Sequence, residues 1–452
     1  MNNFLKNEKR DAREIFRRIQ KRDFSGNTGR AVKNSTYQLT TSIITKLGSM
    51  IFTIILARLL MPELFGLYSL ALSTIILFSS FSDFGIFSAI VTFIPKELKK
   101  NNFSKANGYA KTLWKWKIIL LSLASLSLAL SAFFIANYYY NKPIFLALLA
   151  GILYIFSSGI LSFFETMFRA DNNFKIPMNK EIIFQVSRFL LMPLILILFI
   201  GKTSTAVIAM ITILTLSLSY FIAIIYLLLS LKKIIFVNAK TEGINKKEKS
   251  DLKKFLLPLS ATTLSGIFFG YIDTIMLGHY VLPQFISYYG VAFALIGSIT
   301  PIIGFSAASL LPLFSGMEGE RLEKLFRKAL SITVLFSVIG SILTFFLASL
   351  AIKLIYGSAY LTAVPVLKIF SILVILLPIS AIYDTYYISQ RKTKTIAIIL
   401  ISSTILNIIL NYIGINYGLL HFGPLGAIMG ASLATIASRS FYLIGSIVFR
   451  NK

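Results

Sequence analysis

Among the ionisable side chains that fall inside the apolar stretches of this chain, nine are read as the residues best placed to do chemistry. Lys46 and Arg58 lie in the first such stretch, Arg188 in the fifth, Lys368 in the tenth and Arg439 in the twelfth. Asp83 lies in the second, Glu165 at the end of the fourth, Asp273 in the seventh and Asp384 low in the tenth. An ionised group at the centre of a membrane helix costs about 2.5–3.5 kcal/mol even on permissive scales, so such residues turn to a bundle interior or to water. Lys46 and Arg188 sit near mid-span, too deep to snorkel. They are candidates for a substrate-facing role, with pairing to Asp83 or another acid as the alternative. Arg58, Lys368 and Arg439 are candidates on the same ground, though interhelical pairing or snorkelling accounts for them equally well. Spare positive charge in a cavity suits an anionic cargo, because a guanidinium grips phosphate or carboxylate with paired hydrogen bonds. Asp83 and Asp273 could serve a coupling cation or act as partners of those bases. Glu165 and Asp384, within a turn or two of the cytoplasmic boundary, can be satisfied there by solvation or by a neighbouring Arg.

Other chemistry has little to build on. Cys is absent, which removes thiolate nucleophiles, disulfides and thiolate metal sites. His279 and His421 are the two histidines and lie far apart in sequence, so no metal cluster is expected. No nucleotide-gripping GxxxxGK[ST] loop and no spaced acidic pair occurs. The expectation is a non-enzyme without a cofactor, driven downhill or by a Na+ gradient, an H+ gradient or the membrane potential.

The elements that carry these residues are long apolar runs. Of 452 residues, 56% are hydrophobic, and the charges crowd into short segments, which excludes a soluble enzyme. Twelve spans are expected, at about 35–60, 66–94, 114–137, 143–168, 178–200, 205–231, 255–279, 286–313, 328–352, 362–389, 395–418 and 424–448. Alternate gaps hold almost no charge. The others are strongly basic, as at Lys96 to Lys111, Lys232 to Lys254 and Arg321 to Lys328. Positive residues stay on the cytoplasmic side, so both termini are expected there, in a multi-pass protein of the cell membrane. The formal charge of +27 then reads as affinity for anionic lipid headgroups, not for nucleic acid.

The expected fold is an all-α integral membrane protein of about twelve helices in two pseudo-symmetric six-helix bundles. Its parts are a basic tail over 1–34, bundles over 35–231 and 255–448, a basic linker over 232–254 and a cytoplasmic end over 449–452. The tail carries a candidate surface-lying amphipathic helix over 4–22. A weak internal repeat supports the division: ARLLMPELFGLYSLA at 57–71 is echoed by GHYVLPQFISYYGVA at 278–292. Pro177, Pro193, Pro301 with Gly304, Pro365 and Pro378 are candidate kinks, and Gly266 with Gly270 predicts close helix packing. Tyr138, Tyr139 and Tyr140 read as an interfacial belt.

Several segments, in order, resemble the polysaccharide flippase family, the O-antigen and repeat-unit exporters of the multidrug/oligosaccharidyl-lipid/polysaccharide exporter superfamily. They are ARLLMPELFGLYSLALS at 57–73, FSDFGIFSAIVTFIPK at 81–96, GYIDTIMLGHY at 270–280, SYYGVAFAL at 287–295, IYGSAYLTAVPVLKI at 355–369, YYISQRKTKTIAI at 386–398 and ILNIILNYIGI at 405–415. The likeness covers about residues 30–448 and implies alternating access for a lipid-linked oligosaccharide on a polyisoprenoid phosphate or diphosphate, taken from the cytoplasmic to the outer leaflet through a cationic lumen. Arg58 and Asp273 occupy family-matching positions; Lys46, Arg188 and Arg439 rest on electrostatics alone. Glycosyltransferases or a polymerase of the same pathway are the implied partners of a monomeric transport unit. The alternatives are a multidrug or metabolite exporter of the same superfamily and a non-transport scaffold for envelope glycan assembly.

Overall fold

The computed structural model describes residues 26–303, 310–311 and 313–450. The expected helix over 4–22, the kink at Gly304 and the last two residues lie outside them. The described chain is all α-helical apart from short 3-10 and π turns and connecting loops. In order the helices are α1 (Gly26–Ser80), α2 (Ile86–Leu98), α3 (Phe103–Phe134), α4 (Phe145–Ala170), α5 (Lys175–Phe199), α6 (Thr205–Ser230), α7 (Lys246–Tyr280), α8 (Pro283–Ile303), α9 (Gly319–Ile355), α10 (Val364–Phe370), α11 (Leu373–Ser389) and α12 (Thr393–Arg450). By length and composition seven of the described helices can cross a membrane, or eight when α10 and α11, bent by 48°, count as one. Large apolar side chains such as Leu130, Phe346 and Leu420 stand more than three quarters exposed, which suits a surface covered by hydrocarbon.

Two of these helices are too long for one crossing. At 1.5 Å per residue α1 would run about 80 Å. It is two helices joined at Met61, whose φ of 60° and ψ of 170° leave the helical region just before Pro62. α12 repeats the device at Gly423, with φ 65° and ψ −159° before Pro424. Proline pushes the preceding residue out of the α region and lacks an amide hydrogen, so both breaks are written in the sequence. The limbs of α12 then fold back on each other. A Cβ on Gly430 would lie 2.0 Å from the Gly414 carbonyl oxygen, and one on Gly418 would lie 2.1 Å from that of Gly426.

Two expectations about elements fail. Residues 66–94 do not form one continuous helix: Phe84 and Gly85 take positive φ and separate α1 from α2. Among the described residues Gly266 and Gly270 do not mediate close packing, since a Cβ at either position would meet none of them within 4 Å. The basic segment 232–254 packs against the helices. Ile234 and Phe236 are fully buried, the Asn107 amide donates to the carbonyls of Val237 and Ala239, and Lys105 pairs with Glu242 and Glu248. A Cβ on Gly108 would sit 1.9 Å from the Glu242 carbonyl oxygen, so that glycine admits the segment. α7 starts earlier than the expected span because Asn245 and Glu248 form a reciprocal capping box.

α4 and α6 pack along each other, flanked by α3, α5 and α1; α7 packs on α12, and α9 and α12 pack on α11. The two groups meet most extensively between α1 and α8. There the Gly66 position lies against the Pro283 carbonyl, 1.8 Å from where a Cβ would stand.

Candidate functional site

The 26–60 limb of α1 carries a polar stripe. Ser35, Gln38, Ser42, Thr45 and Lys46 are exposed and Ser49 and Thr53 half-buried, spaced three and four apart so that they share one helix face. Leu39, Ile43, Leu47 and Ile51 form a second, apolar exposed face. A helix that is wet on one exposed face and oily on the other borders both a polar space and lipid. Thr41, Gly48, Phe52 and Leu56 form the buried edge against the neighbouring helices. The stripe was missed at the sequence level, although its period was there to read.

Arg188 stands behind this stripe. Its Nη2 donates to Ser49 Oγ at 3.2 Å and its Nε to Gln185 Oε1 at 2.9 Å. The rings of Phe52 and Phe184 lie 4.4 and 5.0 Å from the guanidinium carbon, a cation–π cage. Gln185 Nε2 donates to Glu181 Oε1 at 2.7 Å, and Lys180 bridges Glu181 and Glu165 at 2.9 and 2.7 Å. Arg169 completes the series on Glu165 at 2.6 Å. Glu181 and Gln185 were not singled out from sequence, yet 181, 185 and 188 form a one-face series on α5.

Asp273 anchors a second buried cluster, between α7, α8 and α12. One carboxylate oxygen accepts from Tyr289 at 2.6 Å and from Thr435 at 2.7 Å, and the other accepts from the Asn411 amide. The Oδ1 atoms of Asn407 and Asn411 are buried without a hydrogen-bond partner among the described residues. Arg439, one turn beyond Thr435, rests its guanidinium 3.6 Å from the Phe269 ring, one turn before Asp273.

The remaining candidates lie elsewhere. Arg58 donates to the carbonyls of Leu354 and Ile355 and so caps the end of α9. Lys368 is exposed, 5.3 Å from the Phe345 ring on α9. Asp83 sits 3.8 Å from the buried ammonium of Lys117, a residue sequence reasoning passed over. That ammonium donates to the Ser82 carbonyl at 2.9 Å and ties down the break between α1 and α2. Asp384 accepts from Tyr442.

Arg58 belongs to a seal at the charge-poor end. Tyr360 donates to the Ala57 carbonyl at 2.8 Å, Lys142 donates to the Gly278 carbonyl, and His279 Nδ1 lies 2.6 Å from the Tyr139 carbonyl oxygen with the two rings stacked. Burial pulls the Lys142 ammonium down to about 8.

The profile of a family described as "Polysaccharide biosynthesis protein" matches residues 31–318. The chain belongs to that family. It is thereby a membrane transporter of the multidrug/oligosaccharidyl-lipid/polysaccharide exporter superfamily and not an enzyme. The uncharacterized membrane protein MJ1375 of Methanocaldococcus jannaschii is 27% identical over 437 residues, 91% of this chain and 96% of that protein. Among solved structures, the inward-facing form of a multidrug resistance MATE family transporter overlays with TM-score 0.71 at 13% identity, over 90% of this chain and 94% of that one. The lipid II flippase MurJ, in an inward closed conformation, overlays at 0.64 and 17% identity, over 91% and 87%. An outward-facing MATE form reaches 0.56 at 14% identity, over 95% and 97%.

Proposed function

We propose that the chain moves a lipid-linked oligosaccharide from the cytoplasmic to the outer leaflet of the cell membrane by alternating access. Twelve spans in two six-helix bundles, with the broken α1 and α12 each supplying two and both termini cytoplasmic, is the arrangement this requires. The charge-poor end is then the outer one, sealed in the state described. The observation that carries the reading is the polar face of α1, where exposed Lys46 lies one turn before Ser49, whose hydroxyl accepts from the Arg188 guanidinium. In this reading the phosphate or diphosphate is held there while the isoprenoid stays in lipid. Carrying such a headgroup through hydrocarbon would have a prohibitive desolvation cost. Lys46 and Arg188 are assigned to the substrate; Arg439 borders the Asp273 cluster, where a cation would couple transport to an ion gradient. Asp273, Thr435 and the orphan carboxamide oxygens of Asn407 and Asn411 supply the oxygen ligands that a hard cation needs.

A multidrug or metabolite exporter is the second reading, and the closer overlay with a multidrug transporter than with the lipid II flippase favours it. Reconstituted vesicles separate the two. Flipping of a labelled polyprenyl-diphosphate oligosaccharide, lost in Lys46→Ala and Arg188→Ala, supports the first; export of cationic dyes with no flipping by the wild type overturns it.

A further inference from the structure

We propose that Gln185 is a positioning residue, a neutral spacer that keeps the Glu181 carboxylate off Arg188 so that the guanidinium presents uncompensated charge to a phosphate or diphosphate. The inference rests on the headgroup reading above and adds the residue that makes it work. Three cations, Arg188, Lys180 and Arg169, alternate with two carboxylates, Glu181 and Glu165, in one hydrogen-bonded series. One positive charge is left over, and the order of contacts decides where it sits. Lys180 binds both carboxylates and Arg169 binds Glu165, whereas among the described residues no carboxylate lies within 4.0 Å of Arg188. The surplus falls on the guanidinium.

A carboxamide is suited to this place. Arginine only donates and a carboxylate only accepts, so a residue between them must offer an acceptor to one and a donor to the other without charge. Gln185 does so with Oε1 at 2.9 Å and Nε2 at 2.7 Å. A glutamate there would neutralise Arg188 and face Glu181. α1 is shaped around the amide: a Cβ on Gly48 would stand 2.3 Å from Gln185 Oε1, so the helix bearing the polar stripe lies with its backbone against the spacer. Phe52 and Phe184 lie over the guanidinium, and its Nη2 reaches Ser49 on the polar stripe.

The test is binding of inorganic pyrophosphate to the full purified chain, followed by microscale thermophoresis. Arg188→Ala should abolish it. Gln185→Glu keeps the side-chain size but brings a carboxylate to the guanidinium, and should weaken binding at least about tenfold. Gln185→Met removes the hydrogen bonds without adding charge, and should weaken it about two- to fivefold. That ranking separates charge insulation from simple shape. Gln185→Glu binding as well as wild type, or better than Gln185→Met, overturns the inference. Where Gln185→Glu yields no folded protein, Gln185→Met alone decides, and wild-type affinity in it is the overturning result. A defective Arg188→Ala beside a normal Gln185→Glu sinks this inference alone; an unchanged Arg188→Ala, or a wild type that binds no pyrophosphate, sinks the headgroup reading as well.

Discussion

Three donors converge on the Asp273 carboxylate inside the bundle, and an amide cannot replace it there. Asp273→Asn keeps the size but sets an NH2 group against hydroxyls and an amide that already donate. One buried donor is left without a partner, a loss of about 1–3 kcal/mol. The expected result is a lower melting temperature in detergent together with loss of ion-dependent transport, and a variant with wild-type stability would show that the carboxylate is not held as described. Asp273 itself was legible, because a charge in an apolar span stands out. Its partners were not, since Tyr289, Asn411 and Thr435 are unremarkable residues brought in from 16, 138 and 162 positions away. Glu181 and Gln185 were legible in principle as neighbours of Arg188 on one helix face. Weighing each charge singly hid them. Lys117 was passed over, and only the break at Phe84 and Gly85 gives its ammonium a buried carbonyl to hold.

The limbs of α12 approach closely where both partners are glycine, and sequence spacing alone does not say where that happens. Gly266 with Gly270 and Gly414 with Gly418 share one spacing, yet the first pair faces open space and the second meets Gly430 and Gly426 backbone to backbone. The difference is the partner strip, which only the fold-back at Gly423 supplies. Gly418→Val should therefore drive the limbs of α12 apart and destabilise by about 1–3 kcal/mol. Gly270→Ala should be neutral or raise stability by up to about 1 kcal/mol, because alanine is the better helix former. Thermal unfolding of the two variants side by side checks the contrast, and equal effects would refute the close crossing. The X-Pro breaks at Met61 and Gly423 were readable because proline acts through local sterics. The docking of residues 232–245 on α3 was not, for lysines on a buried-backbone segment look like lysines on a free one.

Across the whole molecule, the seal at the charge-poor end is made of contacts to backbone carbonyls, from Arg58 to the end of α9, from Tyr360 to Ala57 and from Lys142 to Gly278. Such contacts depend on the position of the opposing chain and not on its side chains, so they form in one arrangement of the halves and are lost in the other. None could be read from sequence, since Arg58 finds its acceptors 296 and 297 positions away. The chain has no cysteine, so Tyr138→Cys with Leu282→Cys places two spin labels across the seal on a clean background. Arg58→Ala combined with Tyr360→Phe should add a population at longer separation. Proton linkage gives the same distance a pH dependence of known sign. In the sealed form burial lowers Lys142 to about 8, whereas an opened form would return it towards about 10.4. Below about 8 both forms carry the proton and the ratio is flat. Above it the open form binds more protons, so rising pH shifts the balance towards the sealed form until Lys142 is neutral in both. Lys142→Met should abolish that slope while leaving the seal formed, and a slope that survives the substitution would place the titrating group elsewhere.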